Sequence, residues 1–123
     1  MSWVLDSGRP IYLQIVERLE LSIVSGQFKP GDKVPSVREL AVEAGVNPNT
    51  MQKAMVELER QGLVHSERTS GRFITEDEAM ITQVREELAK KQIQEFMERM
   101  NKMGFDGEEI VTLLQKTMRE GKK

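Results

Sequence analysis

A chain of 123 residues with 31% charged side chains and no cysteine has room for one small domain, or a small domain with an appendage, and excludes disulfides, thiolate metal sites and cysteine nucleophiles. Its net charge of −2 argues against a nucleic-acid partner, yet the charge is uneven: residues 1–75 carry nine Lys/Arg and nine Asp/Glu, whereas residues 76–123 carry nine and eleven. Asp6 interrupts the only apolar start, Trp3-Val4-Leu5, and no apolar run approaches membrane length, so the expectation is a cytoplasmic protein with neither signal peptide nor transmembrane helix.

Along the chain, Pro10 to Ser25 reads as a helix, with Tyr12, Ile15, Val16, Leu19 and Ile23 on one stripe and Gly26 at its end. Lys29-Pro30-Gly31-Asp32 is a turn, and Lys33-Val34 a short strand. The stretch from Pro35 to Val64 then spells two helices joined tightly. Ser36 and Glu39 form a capping box, Leu40, Ala41 and Ala44 make a narrow apolar side, and Gly45 stops the first helix. Asn47 caps the second, Pro48 takes its first position, and Met51, Ala54, Met55 and Leu58 turn inward. Asn49, Gln52, Lys53, Val56 and Arg60 are left on the opposite face. Amides and a cation near a helix N-terminus suit base edges and phosphates in a major groove, which makes a helix-turn-helix reader the sharp hypothesis and a helical hairpin with a solvated face the bland one.

After Gln61-Gly62, Leu63 to Glu67 alternates as a strand, Thr69-Ser70-Gly71 turns, and Arg72 to Thr75 returns. A hairpin directly after a reading helix is the order of a winged helix. The cations Arg9, Lys33, Arg38, Lys53, Arg68 and Arg72 flank these elements, and most of the acids are expected on the far sides of helices. From Glu76 the composition changes. Glu76-Asp77-Glu78 opens a long helix to Met103, roughly 40 Å at 1.5 Å per residue, with Ile81, Val84, Leu88, Ile93, Phe96, Met97, Met100 and Met103 along a drifting stripe. Gly104 ends it. Asp106 caps a last helix with Glu109 at its third position, Phe105 and Ile110 as staple, and Leu113, Leu114 and Met118 as its apolar face.

Two amphipathic helices alone bury little, so their stripe points to a second copy of the chain, with a pliable methionine-lined small-molecule or peptide pocket as the other reading. No enzymatic constellation stands out: the sole histidine, His65, falls in a strand, and there is no glycine-rich phosphate loop. No cofactor or metal is expected.

The runs PIYLQIVERL, SGQFKPGDKVPSVRELA, GVNPNTMQKAMVELERQGLV and SGRFI together resemble the winged-helix domain of the GntR family of bacterial transcription regulators, over residues 9–75. The Asn47-Pro48-Asn49-Thr50 run and the brief tail look like the short YtrA-type branch, whose members lack large effector domains. The resemblance implies that Arg38 contacts DNA, that Asn47, Asn49 and Thr50 form the cap and first turn of the recognition helix, and that Gln52 and Lys53 face the groove. Two departures stand out. Pro48 replaces an arginine that many relatives carry, and Arg72 stands in a wing where the family commonly has Gly-x-Gly-Thr-Phe. Arg72 has two readings at this point, a minor-groove or phosphate contact and a plain exposed side chain.

The expectation is therefore a mainly α protein with a small β-hairpin: an N-terminal winged helix-turn-helix in residues 1–75 and a two-helix dimerisation segment in residues 76–123. Its expected function is sequence-specific DNA binding as a homodimer on a palindromic operator, as a repressor, with any small-molecule effector unknown. A protein-binding winged-helix adaptor and a regulator responding to a small molecule in the Met-rich helices are the alternatives. Expected double-stranded DNA contacts are Arg9, Arg38, Asn47, Asn49, Thr50, Gln52, Lys53, Arg68, Ser70 and Arg72. Expected dimer contacts are Ile81, Val84, Leu88, Ile93, Phe96, Met100, Ile110, Leu113 and Leu114.

Overall fold

Apolar side chains at helical spacing build α1 (Ile11–Val24), α2 (Val37–Ala44) and α3 (Pro48–Gln61); the hairpin β1 (Val64–Glu67) and β2 (Gly71–Ile74) comes next, its expected alternation reduced to a buried residue at one end of each strand, and α4 (Glu78–Lys102) and α5 (Gly107–Gly121) follow. The computed structural model describes residues 3–121, so the first two and last two residues of the two expected domains lie outside it. The chain divides into two compact units, one ending at Arg85 and one beginning at Glu86. No helix among the described residues is long and apolar enough to cross a membrane.

Local chemistry sets the helix ends of the first unit. The Ser36 hydroxyl accepts from the Glu39 N–H at 3.1 Å while the Glu39 carboxylate accepts from the Ser36 N–H at 3.0 Å, so two free donors at the start of α2 are satisfied reciprocally. Asn47 Oδ1 accepts from the Asn49 N–H at 2.7 Å, and Pro48 opens α3 where no N–H is needed. Gly45 and Gly62 end α2 and α3 with φ of 75° and 85°, a left-handed conformation that a Cβ would strain. Pro10 is the N-cap residue of α1, just outside the helix it was expected to begin.

Ile15, Met51, Met55, Leu58 and Leu63 are almost fully enclosed at the centre of the unit, where α3 packs against both α1 and α2. The small residues Ala41, Ala44 and Ala54 are equally buried and let the helices approach closely. The hairpin closes one side. β1 and β2 pair antiparallel with His65 opposite Phe73 and Ser66 opposite Arg72; on the other edge of β2 the expected Lys33-Val34 strand is a single bridge, Lys33 to Phe73. The turn occupies Arg68 to Ser70, so Gly71, expected in the turn, belongs to β2. Gln14 holds the N-terminal segment: its amide donates to the Asp6 and Arg9 carbonyls and accepts from the Asp6 N–H at 2.7 Å.

The first unit runs past Thr75 because Ile81 and Val84, read as part of the dimer stripe, pack against this core. The Thr75 hydroxyl accepts from the Asp77 N–H, and Asp77 in turn caps the Met80 N–H. The second unit differs in kind. Its single buried side chain among the described residues is Ile110, which the Asp106–Glu109 capping box positions in the first turn of α5. Ile110 was also expected to form the dimer surface, but one chain already covers it. Leu88, Phe96, Met97 and Met100 are half-buried, whereas Ile93, Val111, Leu113, Leu114 and Met118 are exposed.

Candidate nucleic-acid interface

The inward stripe of α3 is spent on the core, so the helix presents the remaining face: Asn49, Gln52, Lys53 and Val56 are all exposed, and Thr50 is half-buried beside them. Each flank of this face is tied to a neighbouring element. On one side the Lys53 ammonium lies 4.0 Å from the Tyr12 ring centroid of α1, a cation–π contact that steadies a flexible cation. On the other side the wing reaches across. Arg72 Nε donates to Glu59 Oε1, the Ser66 hydroxyl donates to the same oxygen at 2.9 Å, and Arg72 Nη2 lies 3.5 Å from Gln52 Oε1.

Arg72 is therefore neither plainly exposed nor extended toward a groove; its side chain is 21% exposed and ion-paired to Glu59. The guanidinium hydrogen bond, with help from Ser66, holds the Glu59 carboxyl below the usual carboxylate range. Glu59 is an exception among the acids, most of which are expected on the far sides of helices, since it lies on the same face of α3 as Gln52, two turns away. Glu57 conforms better. It pairs with Arg60 along α3, and that bond, with one from Gln61, lowers its pKa.

The other expected contacts are distributed around this face. Arg38 is exposed in the first turn of α2, and Lys33, Ser36, Ser70 and Arg72 line an open groove between the wing and the start of that helix. Arg68 and Ser70 are exposed at the wing tip. Asn47 spends its carbonyl oxygen on the helix cap, which leaves its amide group as donor. Arg9 precedes α1 and pairs with Glu17 at 2.6 Å. His65 is exposed, 3.3 Å from Glu67 and stacked on Phe73. Tyr12 and Glu59 were not read as part of this face from sequence. Glu59 had a legible signal, being seven residues after Gln52 and so on one face of the helix; Tyr12 had none, because its partner lies on another helix.

The segment that builds this polar helix face, its hairpin wing and its supporting helix, residues 11–74, matches the model of the bacterial regulatory proteins of the gntR family. The chain belongs to the GntR family. It is 38% identical over 116 residues to the uncharacterized HTH-type transcriptional regulator YhcF of Bacillus subtilis, covering 94% of this chain and 95% of that one. It is 43% identical over 88 residues to the HTH-type transcriptional repressor YtrA of the same organism, covering 67% and 68%. Among solved structures, a GntR family transcriptional regulator from Listeria monocytogenes superposes with a TM-score of 0.85 at 39% identity, over 91% of this chain and 98% of that one. The DNA-binding domain of AraR in complex with operator ORX1 matches with a TM-score of 0.53 at 32% identity, over 61% and 92%. This GntR protein is accordingly a DNA-binding transcriptional regulator rather than an enzyme, with a winged-helix head and C-terminal helices.

Proposed function

We propose that this GntR regulator represses transcription by binding a two-fold symmetric operator as a homodimer, with α3 in the major groove of each half-site. The observation that carries the reading is the contrast between the two units. The head has an apolar core of its own, while the second unit buries only Ile110 among the described residues, and α5 leaves Val111, Leu114 and Met118 at 53%, 45% and 67% exposure along one helix face. A second copy is the simplest cover. Two heads related by a two-fold axis then meet half-sites about 34 Å apart, or a multiple of that, and the second contact becomes effectively intramolecular.

In this reading Asn49, Thr50, Gln52 and Lys53 face the groove, Arg38 and the donors at the start of α2 hold phosphates, and Arg68 and Ser70 contact the backbone beside the wing. Repression is supported by the name of the YtrA relative. Footprinting on DNA upstream of the chain's own gene, paired with sedimentation of the protein, tests the proposal: a symmetric footprint and a dimer are expected. An asymmetric footprint from a sedimenting monomer would overturn it.

A further inference from the structure

The reading face contains a side-chain chain whose order constrains what one of its members can recognise. Glu59 holds Arg72, and Arg72 reaches Gln52 Oε1 at 3.5 Å. A guanidinium has five N–H donors and no acceptor, so the amide turns its oxygen to the wing and its NH2 away from it. A glutamine with both ends available matches adenine, accepting from N6 and donating to N7. Arg72 engages one of the oxygen's two lone pairs and turns that end toward the wing, so the NH2 is the end the amide presents first to the groove. Guanine offers N7 and O6, two acceptors side by side, whereas adenine would set its N6 amino donor against the NH2 group.

We infer that Gln52 reads guanine rather than adenine, and that Glu59 and Arg72 are the positioning residues that impose this choice. The inference rests on the operator-binding reading above. Glu59 has a second effect in this arrangement, because an unpaired carboxylate on the reading face would repel phosphates, and Arg72 neutralises it. The wing of this chain thus acts on specificity through the recognition helix, without itself touching a base. Ser66, which donates to the same carboxylate oxygen at 2.9 Å, orients Glu59 toward the wing.

The test is selection from a pool of random duplexes by the full-length protein and by Gln52→Ala, Arg72→Ala and Glu59→Gln variants, each checked for folding by thermal melting. Gln52→Ala marks the position that Gln52 reads, as the one at which preference is lost. Wild type should favour guanine there over adenine by about tenfold, of the order that one good contact supplies. In Arg72→Ala the preference should fall to about one or reverse toward adenine, with the other consensus positions retained. Glu59→Gln should do the same, and it keeps the side-chain volume should Arg72→Ala fail to fold. Adenine at the marked position in wild type overturns the inference, as does the absence of any Gln52-sensitive position. Variants that lose affinity on all sequences with an unchanged preference at that position also overturn it, because that is how a merely structural clasp behaves. If wild type enriches no sequence at all, the operator reading fails first and this inference with it.

Discussion

At the scale of single residues, caps and ion pairs make separable contributions. Ser36 satisfies the Glu39 N–H and Glu39 returns the bond, so Ser36→Ala should cost about 1 kcal/mol of stability, measured by urea denaturation, with no change in the helices of the fold by circular dichroism. The pH dependence of the wing clasp follows from the sign of its shift. Glu59 titrates below its ordinary value because Arg72 and Ser66 stabilise the carboxylate, so its contribution is fully present above the unfolded-state pKa and is lost as pH falls through the depressed folded one. Stability near neutral pH should therefore be insensitive to this group, and the acid limb of a stability-against-pH curve should be shallower in Glu59→Gln than in wild type. Lys53 is held over Tyr12 on the reading helix. Lys53→Ala should weaken binding on all duplexes alike and reduce the salt slope by about one, whereas an unchanged slope would assign the lysine to the Tyr12 contact alone.

At the scale of elements, the wing is placed by the turn that leaves α3. Gly62 has φ of 85°, and a Cβ there would come within 3.1 Å of the Met80 side chain at the start of α4. The methionine end can move aside, but the backbone conformation cannot be relieved so easily. Gly62→Ala should destabilise the head by about 1–2 kcal/mol, read as a lower denaturation midpoint. The effect should extend to DNA binding, since the same turn leads α3 into β1, the strand that carries Ser66 back to Glu59 and pairs with the Arg72 strand.

For the whole molecule, the decisive contrast is between a head with its own core and a C-terminal unit with a single buried side chain. Ile81 and Val84 belong to the head's packing, so a chain cut after Thr75 should be less stable than one cut after Arg85, and the longer fragment should fold as a monomer with weak, largely non-specific DNA binding. In the full chain Leu114→Asp should leave a monomer, because it would place a charge in the apolar interface of the proposed dimer. Sedimentation and gel shift check both. A truncated head that still sediments as a dimer would place the association surface in the head instead.

The helix-turn-helix and its wing were legible in the residues because their signals are local. The Ser36-Glu39 capping box, Asn47-Pro48, and the terminating Gly45 and Gly62 act within a few residues of themselves, and the inward stripe of α3 leaves its outward face by geometry alone. Contacts between elements were not legible, because they join side chains far apart in the chain. Arg72 and Glu59 are separated by thirteen positions and meet only when the hairpin folds back on α3; Lys53 and Tyr12 meet only when α1 packs behind it. For the same reason composition changes at Glu76, but the head continues to Arg85: the extent of a folding unit is set by which apolar side chains the core covers, and a one-dimensional pattern carries no record of coverage. The stripe of α4 and α5 was visible as a period in the sequence, while the tertiary structure decided that Ile81 and Val84 are spent on the head, that Ile110 is covered within one chain, and that Leu113 and Leu114 are left at the surface.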